Sequence, residues 1–244
     1  MIKMAFIPAR YAATRFPFKL MQPLGDKTVI RHTYDNAVAT GLFDDVVVVT
    51  DHDIIFKEII SHGGKAVMSI RTHKNGSDRI AEAIENIDVD VIVNVQGDEP
   101  FVSATQLSAL LKVFDGEEGK FVQVASLMKK ITEDAMIQNP NIVKVVAGTN
   151  DNALYFSRSP IPYNRAENAV YFEHIGVYAY RKKALLHFTK WPVSPLEETE
   201  MLEQLRYLEN GISIKMIETN ESAVKIDMPG DLKKAEAYLS TLKS

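Results

Sequence analysis

Apolar residues along the first 140 positions follow two alternating spacings, and this alternation predicts the fold. Short runs rich in β-branched residues predict strands at residues 2–7, 46–50, 91–95 and 122–126. Helical spacing of apolar residues, ended in two cases by glycine, predicts helices at residues 28–40, 51–62, 77–87 and 103–114. An alternation of strands and helices is typical of an α/β protein. We therefore expect a mostly parallel central sheet flanked by helices.

The pattern changes after about residue 140, where strand-like segments follow one another with little helix between them. These segments lie at residues 142–146, 153–157 and 171–180. A helix, a strand and a closing helix are then predicted at residues 197–208, 212–217 and 229–242. This order indicates a smaller antiparallel extension, which would also suit a dimer interface. Because no linker or repeat interrupts the chain, we expect a single domain over residues 1–244, with halves at 1–140 and 141–244.

The composition excludes several classes of protein and of chemistry. A net charge of −4 argues against a nucleic-acid partner bound through bulk positive charge. Without cysteine the chain has no disulfide, thiolate nucleophile or cysteine-ligated metal. Its six histidines lack close ligand spacing, which leaves hard, oxygen-bound metals. There is no signal stretch, and no apolar run approaches the length of about 18 residues that a membrane helix needs. We therefore expect a soluble, cytoplasmic protein without membrane insertion.

The loop after the first predicted strand carries three cations, Arg10, Arg15 and Lys19, stiffened by Pro8 and Pro17. Loops at the carboxyl ends of parallel strands are where α/β proteins bind ligands. Clustered cations there suit a polyanion such as a triphosphate, to which arginine offers a planar fork and lysine a point charge. The loop lacks the GK[ST] pairing of a P-loop. An ordinary basic surface loop is the alternative interpretation.

A second candidate site follows the apolar run at 91–95, where Gly97 leads into Asp98, Glu99 and Pro100. Asp98 is predicted at the carboxyl end of a central strand, facing the same crevice as the cationic loop. A carboxylate beside a bound triphosphate commonly holds Mg²⁺, so we predict Asp98 as a metal ligand. A turn closed by Asp and Pro is the alternative. Glu99 is expected to support Asp98 or to belong to the turn.

Asp227 is the candidate for a second Mg²⁺ ligand. The sequence AVKIDMPGDL at residues 223–232 predicts a strand, a turn and a helix, with Asp227 at the strand end. Asp231 falls in the first helical turn and is expected to be structural, because a carboxylate favours a helix N-terminus. A helix N-cap is an equally good interpretation of Asp227, since sequence spacing alone cannot bring it to Asp98.

The segment HKNGSDR at residues 73–79 precedes a predicted helix and allows two interpretations. Ser77 is a candidate N-cap with a carboxylate in the following turn, which would be a structural role. The backbone N–H groups of the same turn could instead contact a base or a phosphate. The segment alone does not decide between them.

Other polar residues of the second half favour structural roles when each is taken alone. Lys144 and Arg158 are expected to be solvated charges. His174 lies in an otherwise apolar strand, where a satisfied buried histidine is the common case. The charges of residues 200–206 have helical spacing and indicate a solvated helix face.

Taken together, these segments resemble one family. Eight motifs occur in order along the chain: IPARYAATRFPFK, HKNGSDR, VQGDEP, NIVKVV, ALYFSR, EHIGVYAYR, EMLEQLR and IDMPGDL. Their order and spacing are similar to those of the 3-deoxy-manno-octulosonate cytidylyltransferases, the CMP-Kdo synthetases of Gram-negative bacteria. The resemblance runs from residue 2 to about residue 238. It implies a Rossmann-like nucleotidyltransferase fold, with nucleotide bound by the first half and sugar binding and dimerisation in the second.

The resemblance also implies an activity and a set of site residues. The reaction would transfer CMP from CTP to the anomeric hydroxyl of 3-deoxy-D-manno-octulosonate (Kdo), releasing pyrophosphate, for lipopolysaccharide synthesis in a Mg²⁺-dependent homodimer. The implied catalytic residues are Arg10, Lys19, Asp98 and Asp227, the last two as Mg²⁺ ligands. The implied substrate contacts are Arg15, His73, Asn75, Gly76 and Ser77 for the nucleotide, and Gln96, Arg158, His174, Tyr178, Glu203 and Gln204 for the sugar acid. Arg158 would pair with the Kdo carboxylate, because a bidentate pair fixes its plane.

Phe18 is the most serious departure from the family pattern, because it replaces the glycine of R-x-P-G-K. Phenylalanine does not easily adopt positive φ, so the loop is expected either to have an ordinary conformation or to be strained. Ala13 replaces a serine and so removes one hydroxyl contact to phosphate. The sequence leaves open whether the sugar is Kdo or a close analogue such as 8-amino-Kdo. A non-catalytic nucleotide-binding protein is the alternative from another class.

Overall fold

The computed structural model describes residues 1–12, 16–73, 75–221 and 224–242. The chain forms two compact units. The first comprises Met1–Leu107 and Ser222–Ser244, and the second comprises Ser108–Glu221. Along the sequence, the second unit is therefore inserted between the two parts of the first. Among the described residues, no helix is long and apolar enough to cross a lipid bilayer.

The first unit contains a parallel sheet with helices between its strands. The strands are β1 (Lys3–Ala9), β2 (Pro23–Leu24), β3 (Lys27–Thr28), β4 (Asp45–Thr50), β5 (Ala66–Met68) and β6 (Val91–Asn94). β2 and β3 form a small antiparallel hairpin, and the other four strands pair in parallel in the order β6-β1-β4-β5. The helices are α1 (Val29–Ala39), α2 (Asp53–Ser61), α3 (Gly76–Ile84) and α4 (Ala104–Lys112), the last containing the boundary between the units. The predicted parallel α/β fold is confirmed.

The central strands of this sheet form where the sequence is continuously apolar. Phe6 in β1, Val48 in β4 and Ile92 in β6 are all 0% exposed, as expected of strands covered on both faces. The predicted glycine stops are confirmed as well. Gly41 follows α1 with a φ of 64°, and Gly63 follows α2 with a φ of 78°. Glycine adopts this left-handed conformation without steric cost, which ends each helix cleanly.

The second unit is built mainly from antiparallel strands. They are β7 (Val124–Lys130), β8 (Lys144–Ala147), β9 (Ala153–Ser157), β10 (Phe172–Arg181) and β11 (Ile214–Glu218). β10 pairs antiparallel with β7 and β8, β9 pairs antiparallel with β8, and β11 runs parallel to β7. Its helices are α5 (Gly116–Gly119), α6 (Asp134–Gln138), α7 (Lys182–Phe188), α8 (Pro195–Glu200) and α9 (Leu205–Glu209). The chain then returns to the first unit with α10 (Pro229–Leu242).

Two of the predicted elements differ from the structure. The single helix predicted at 197–208 is broken, because Met201 at the end of α8 is left-handed with a φ of 55°, and α9 begins only at Leu205. Only glycine adopts this conformation at low cost, so nothing in the sequence indicates the break. The strand predicted before α10 is also wrong, since the described residues 224–228 contain no strand.

The charges of residues 200–206 do not form the solvated helix face that their spacing predicts. Arg206 is only 5% exposed and Glu197 8%. Their side chains make a bidentate ion pair, with Nη2 2.5 Å from Oε1 and Nε 2.6 Å from Oε2. The guanidinium also stacks on the ring of Phe188 at 4.1 Å, and Glu197 accepts a 3.2 Å hydrogen bond from the backbone N–H of Ser194. This buried pair ties α8 to α9 inside the second unit.

Candidate active site

A cavity of about 300 Å³ lies in the first unit, lined by the end of β1 and by the loop after β6. Seven predicted site residues line it: Arg10, Lys19, His73, Asn75, Gly76, Gln96 and Asp98. The other lining residues are Pro8, Ala9, Leu20, Arg79 and Gly97. These residues meet because the carboxyl ends of neighbouring parallel strands share one edge of the sheet. Arg15, the remaining predicted cation, and Ala13 lie outside the described residues.

Two glycines allow backbone segments to approach each other at the wall of this cavity. A Cβ atom on Gly76 would lie 3.0 Å from Cγ of Pro8, and one on Gly97 would lie 3.1 Å from the Pro8 carbonyl oxygen. Both distances are shorter than ordinary van der Waals contact. A larger residue at either position would therefore require Pro8 to move by a few tenths of an ångström.

Lys19 joins the two carboxylates that the sequence predicts as metal ligands. Its Nζ contacts Oδ2 of Asp98 and lies 3.2 Å from Oδ1 of Asp227. A second lysine, Lys225, places its Nζ 3.6 Å from Oδ2 of Asp227. The backbone N–H of Ile226 donates to the carbonyl oxygen of Asp98 at 3.0 Å, which holds the two segments together. The structure thus brings together two aspartates that sequence spacing could not connect.

Glu99 is buried beside this cluster, with 6% of its surface exposed. Burial raises the pKa of Glu99 to about 7, and the charges of Asp98 and Asp227 add to the rise while Lys225 opposes it. Burial lowers the pKa of Lys225, but the attraction of the three carboxylates outweighs this and leaves the pKa above its usual value. Lys225 is therefore a firmly charged member of the cluster. Asp227 is only two positions away in the sequence, but the other two carboxylates, Asp98 and Glu99, belong to a distant segment, so sequence reasoning missed the role of Lys225.

The start of α3 lies at the cavity and is capped by Asn75. The side-chain Oδ1 of Asn75 accepts a 2.8 Å hydrogen bond from the backbone N–H of Asp78. The predicted N-cap role of Ser77 is therefore wrong, and Ser77 lies inside the first turn. Gly76 lines the cavity as the first helical residue. A helix N-terminus carries partial positive charge, so this end of α3 suits an anion.

His73 is held in place by a carboxylate. Its Nε2 lies 2.8 Å from Oε2 of Glu82. Burial alone would raise the pKa of Glu82, but hydrogen bonds from His73, Arg71 and the backbone N–H of Ile70 outweigh it and hold the pKa at about 2. Glu82 is therefore ionised at neutral pH and fixes the His73 ring at the cavity.

Arg79 is a cavity residue that sequence reasoning missed. Its guanidinium donates to Oδ2 of Asp51 at 2.8 Å and to Oγ of Ser69 at 3.0 Å. The other oxygen of Asp51 accepts a 3.4 Å hydrogen bond from the backbone N–H of Tyr11. Asp51 thus connects Arg79 to the loop after β1. The sequence did contain a signal for Arg79, because this residue ends the motif HKNGSDR and lies in the first turn of a helix that begins at a candidate anion site.

Phe18 adopts the left-handed conformation that its glycine counterpart would adopt freely, with a φ of 57° and a ψ of 24°. Of the two alternatives for this loop, the structure therefore has the strained one. The Phe18 ring packs against Tyr11 at a centroid distance of 4.6 Å, and Tyr11 stacks on His52 at 3.9 Å. Phe18 remains 46% exposed, so these contacts bury only part of the ring.

Phe18→Gly should increase the free energy of unfolding by about 1 kcal/mol. Relief of left-handed strain, about 1–2 kcal/mol, is partly offset by the greater freedom of glycine in the unfolded chain. Urea denaturation at an unchanged m-value measures the effect. Phe18→Ala is the control, because it removes the ring but keeps the strained Cβ, and it should not stabilise the protein. A similar loss of stability in both variants would show that ring packing outweighs strain.

In the second unit, Arg158 is anchored by backbone groups. Its guanidinium donates to the carbonyl oxygens of Glu200 at 2.8 Å, Pro140 at 3.0 Å and Met201 at 3.3 Å. The Glu200 carboxylate accepts hydrogen bonds from the backbone N–H of Arg158 at 3.0 Å and from Oγ of Ser157 at 2.6 Å. Arg158 is therefore held in one orientation, and the solvated charge expected of it in isolation is wrong.

Lys144 is completely buried, which also contradicts the expectation of a solvated charge. Its Nζ donates to the carbonyl oxygens of Asn139 at 3.0 Å and Arg158 at 2.5 Å. Burial lowers the pKa of Lys144, the Arg158 charge adds to this, and Glu200 opposes it. The lysine thus supports the backbone of Arg158 from inside the unit.

His174 lies within β10 among aromatic rings and is only partly exposed. Its ring centroid is 5.0 Å from Phe156 and 5.3 Å from Tyr178, and its Nε2 is 3.0 Å from Oγ of Ser126. Burial lowers the pKa of His174 to about 3, so the ring is neutral at physiological pH. Burial also raises the pKa of Tyr178 well above its usual value. Both side chains therefore offer neutral hydrogen-bonding groups.

Gln204 lies beside a second buried polar residue, Tyr207, where α9 begins. Neither Nε2 of Gln204 nor the Tyr207 hydroxyl has a hydrogen-bond partner among the described residues. Burial, followed by the neighbouring Tyr180 and Glu203, raises the pKa of Tyr207 well above its usual value. A buried polar atom costs free energy until a ligand or water satisfies it. This part of the second unit therefore suits a polar ligand.

The fold and the site of the first unit define a nucleotide-binding α/β protein. A parallel sheet ends at a cation-lined cavity, and two aspartates meet beside it. This combination suits a phosphate chain and a hard metal. The chain belongs to the cytidylyltransferase family, whose model matches residues 4–217.

Individual relatives extend this similarity over nearly the whole chain. The 3-deoxy-manno-octulosonate cytidylyltransferase of Flavobacterium johnsoniae is 59% identical over 237 residues, which cover 96% of this chain and 97% of that protein. The enzyme of the same name from Christiangramia forsetii is 53% identical over 238 residues, covering 97% and 96%. The resemblance drawn from the motifs is confirmed.

Comparison with solved structures shows the same similarity. A CMP:2-keto-3-deoxy-manno-octonic acid synthetase complexed with CTP matches with a TM-score of 0.94 at 36% identity, covering 99% of this chain and all (100%) of that one. The 4-diphosphocytidyl-2C-methyl-D-erythritol synthase of Anaerococcus prevotii matches with a TM-score of 0.66 at 16% identity, covering 98% of each chain. The latter shares the fold alone.

Proposed function

We propose that this protein transfers CMP from CTP to the anomeric hydroxyl of Kdo, forming CMP-Kdo for lipopolysaccharide synthesis and releasing pyrophosphate. The observation that carries the proposal is the pair of Asp98 and Asp227, joined by Lys19 beside a cation-lined cavity. Similarity to 3-deoxy-manno-octulosonate cytidylyltransferases over nearly the whole chain supports the same reaction.

The proposed cofactor is Mg²⁺, held by Asp98 and Asp227. Among the described residues, no three acidic, histidine or cysteine side chains form a metal cluster. Two carboxylates nevertheless fit Mg²⁺, because this ion keeps several waters and takes further ligands from substrate phosphates. When bound, Mg²⁺ would lower the pKa of the attacking hydroxyl and stabilise the charge that develops on phosphate.

The remaining catalytic work is positioning and charge neutralisation by the cavity residues. The exposed guanidinium of Arg10 can offer two parallel hydrogen bonds to phosphate oxygens. The start of α3 at Gly76 adds the partial charge of a helix N-terminus. Because the helix fixes the backbone at the start of α3 before the substrate arrives, in-line displacement at the α-phosphorus requires little reorganisation of these groups.

For the sugar acid, the proposed partners are Arg158 at the carboxylate and His174, Tyr178, Glu203 and Gln204 at the hydroxyl groups. Arg158 uses three hydrogen bonds on backbone carbonyls, and a guanidinium has five N–H donors. Donors therefore remain for a carboxylate. A buried amide such as that of Gln204 favours a ligand that supplies the hydrogen bond and disfavours analogues that lack it.

The proposed assembly is a cytoplasmic homodimer. Large apolar side chains are exposed on the second unit: Leu154 by 65%, Tyr163 by 89% and Met201 by 76%. A subunit contact would remove such side chains from water, which supports this assembly. Sedimentation equilibrium measures the oligomeric state, and a monomer at micromolar concentration would contradict the proposal.

A pyrophosphate-release assay with CTP, Mg²⁺ and a panel of keto sugar acids tests the reaction. We expect release with Kdo, and none without sugar or with ATP in place of CTP. Including 8-amino-Kdo separates Kdo from its analogue, because a single pocket contact can switch specificity. Absence of release with every sugar would contradict the proposal and favour a non-catalytic nucleotide-binding protein.

A further inference from the structure

We propose that Lys19 competes with divalent metal for Asp98 and Asp227, so that metal binds tightly only when a nucleoside triphosphate draws the lysine away. This rests on the proposed function, because it concerns the order in which metal and nucleotide reach that site. It gives Lys19 a role in addition to triphosphate contact, as the built-in counter-ion of two metal ligands.

The geometry places one cation where two carboxylates converge. Oδ2 of Asp98 and Oδ1 of Asp227 both lie within hydrogen-bond distance of Nζ of Lys19. The three side chains are 12%, 32% and 17% exposed, respectively, so water screens them only in part. Oxygens that converge on one nitrogen also converge on a metal ion, which binds such oxygens at about 2.1 Å. An ammonium group and a metal ion cannot occupy that position together.

Two ammonium groups already face the two aspartates of the cluster. Lys19 and Lys225 oppose Asp98 and Asp227 at distances up to 3.6 Å. A divalent ion arriving alone would add two positive charges beside two ammonium groups, which repel it. A triphosphate arriving with the ion brings several negative charges and new acceptors for a lysine. Metal and nucleotide should therefore bind with positive coupling.

Lys19 is suited to changing partners. Its ammonium is a point charge with three rotatable donors on a flexible stem, so it can exchange a carboxylate for a phosphate without a fixed geometry. It lines the same cavity as Arg10 and the start of α3 at Gly76. A phosphate chain in that cavity would therefore be within reach of the Lys19 side chain.

Binding of Mn²⁺, followed by the electron paramagnetic resonance signal of the free ion, tests this without sugar or turnover. Without nucleotide, Lys19→Met should bind Mn²⁺ about tenfold more tightly than the unmodified protein, because one competing charge is gone. With α,β-methylene-CTP present, the affinity of the unmodified protein should rise and the difference should vanish or reverse. The difference vanishes or reverses because Lys19→Met has no lysine that could move from the carboxylates to the phosphates.

Two controls locate the effect. Lys27→Met removes another cation of the first unit, one that pairs with Asp35 at 3.0 Å, and should leave Mn²⁺ binding unchanged. The double variant Lys19→Met/Asp98→Asn should lose the gain. Lys19→Gln gives the same readout should the methionine variant fail to fold. Mn²⁺ affinity equal to or weaker than that of the unmodified protein in both Lys19 variants would overturn the proposal, whereas pyrophosphate release by the unmodified protein reports separately on the proposed function.

Discussion

Asp98→Asn should reduce turnover by on the order of 10³-fold while leaving the fold intact. The substitution keeps the size of the side chain but removes the charge that faces Lys19 and is proposed to hold Mg²⁺. Loss of a metal ligand removes several kcal/mol of charge stabilisation in the transition state, and each 1.36 kcal/mol is about tenfold in rate. Steady-state pyrophosphate release with CTP and Kdo measures the effect.

Asp90→Asn is the matched control for this substitution. Asp90 precedes β6 at the end opposite Asp98, and its Oδ2 accepts a 2.6 Å hydrogen bond from the backbone N–H of Ile2. This variant should retain normal turnover, with at most a modest loss of stability. Near-normal turnover of Asp98→Asn would contradict the proposal that Asp98 is a metal ligand.

Arg206→Met should lower the free energy of unfolding by about 3–5 kcal/mol, because it leaves the carboxylate of Glu197 buried without its ion-pair partner. The two side chains are 5% and 8% exposed and share two hydrogen bonds. The substitution also removes the stacking of the guanidinium on Phe188. Urea denaturation followed by circular dichroism measures the loss.

A surface pair in the same unit provides the comparison. Lys120 and Glu117 also form an ion pair, at 2.6 Å, but their side chains are 64% and 88% exposed. Lys120→Met should therefore change stability by less than about 0.5 kcal/mol. Arg206→Met/Glu197→Leu should recover part of the loss, because no charge then remains buried. A change below about 1 kcal/mol in Arg206→Met alone would refute the importance of burial here.

The sequence predicted the parts of the fold and site that depend on local pattern. Continuous apolar runs located β1, β4 and β6, because strands covered on both faces must be apolar. Their carboxyl ends then had to meet at one edge, which is why sequence alone could assign Arg10 and Asp98 to one crevice. In both cases a general rule of α/β folds converts positions along the chain into neighbours in space.

The missed features depend on contacts between distant residues. Lys225 matters because three carboxylates act on it, and two of them, Asp98 and Glu99, belong to a distant segment of the chain. Arg206 and Lys144 have the spacing of surface charges, yet each is buried with partners from another segment. The break at Met201 depends on a left-handed backbone that non-glycine residues rarely adopt.

The first unit is assembled from two stretches of chain that flank the second unit, and this has a consequence for synthesis on the ribosome. Lys19 and Asp227 are 208 positions apart, and the whole second unit is translated between them. The residues of β1 to β6 and the cations Arg10 and Lys19 are synthesised before Asp227 and α10. The carboxylate pair is therefore completed only after the second unit has been made. A chain that stopped within the second unit would retain the cations of the cavity but lack half of their acidic counterpart.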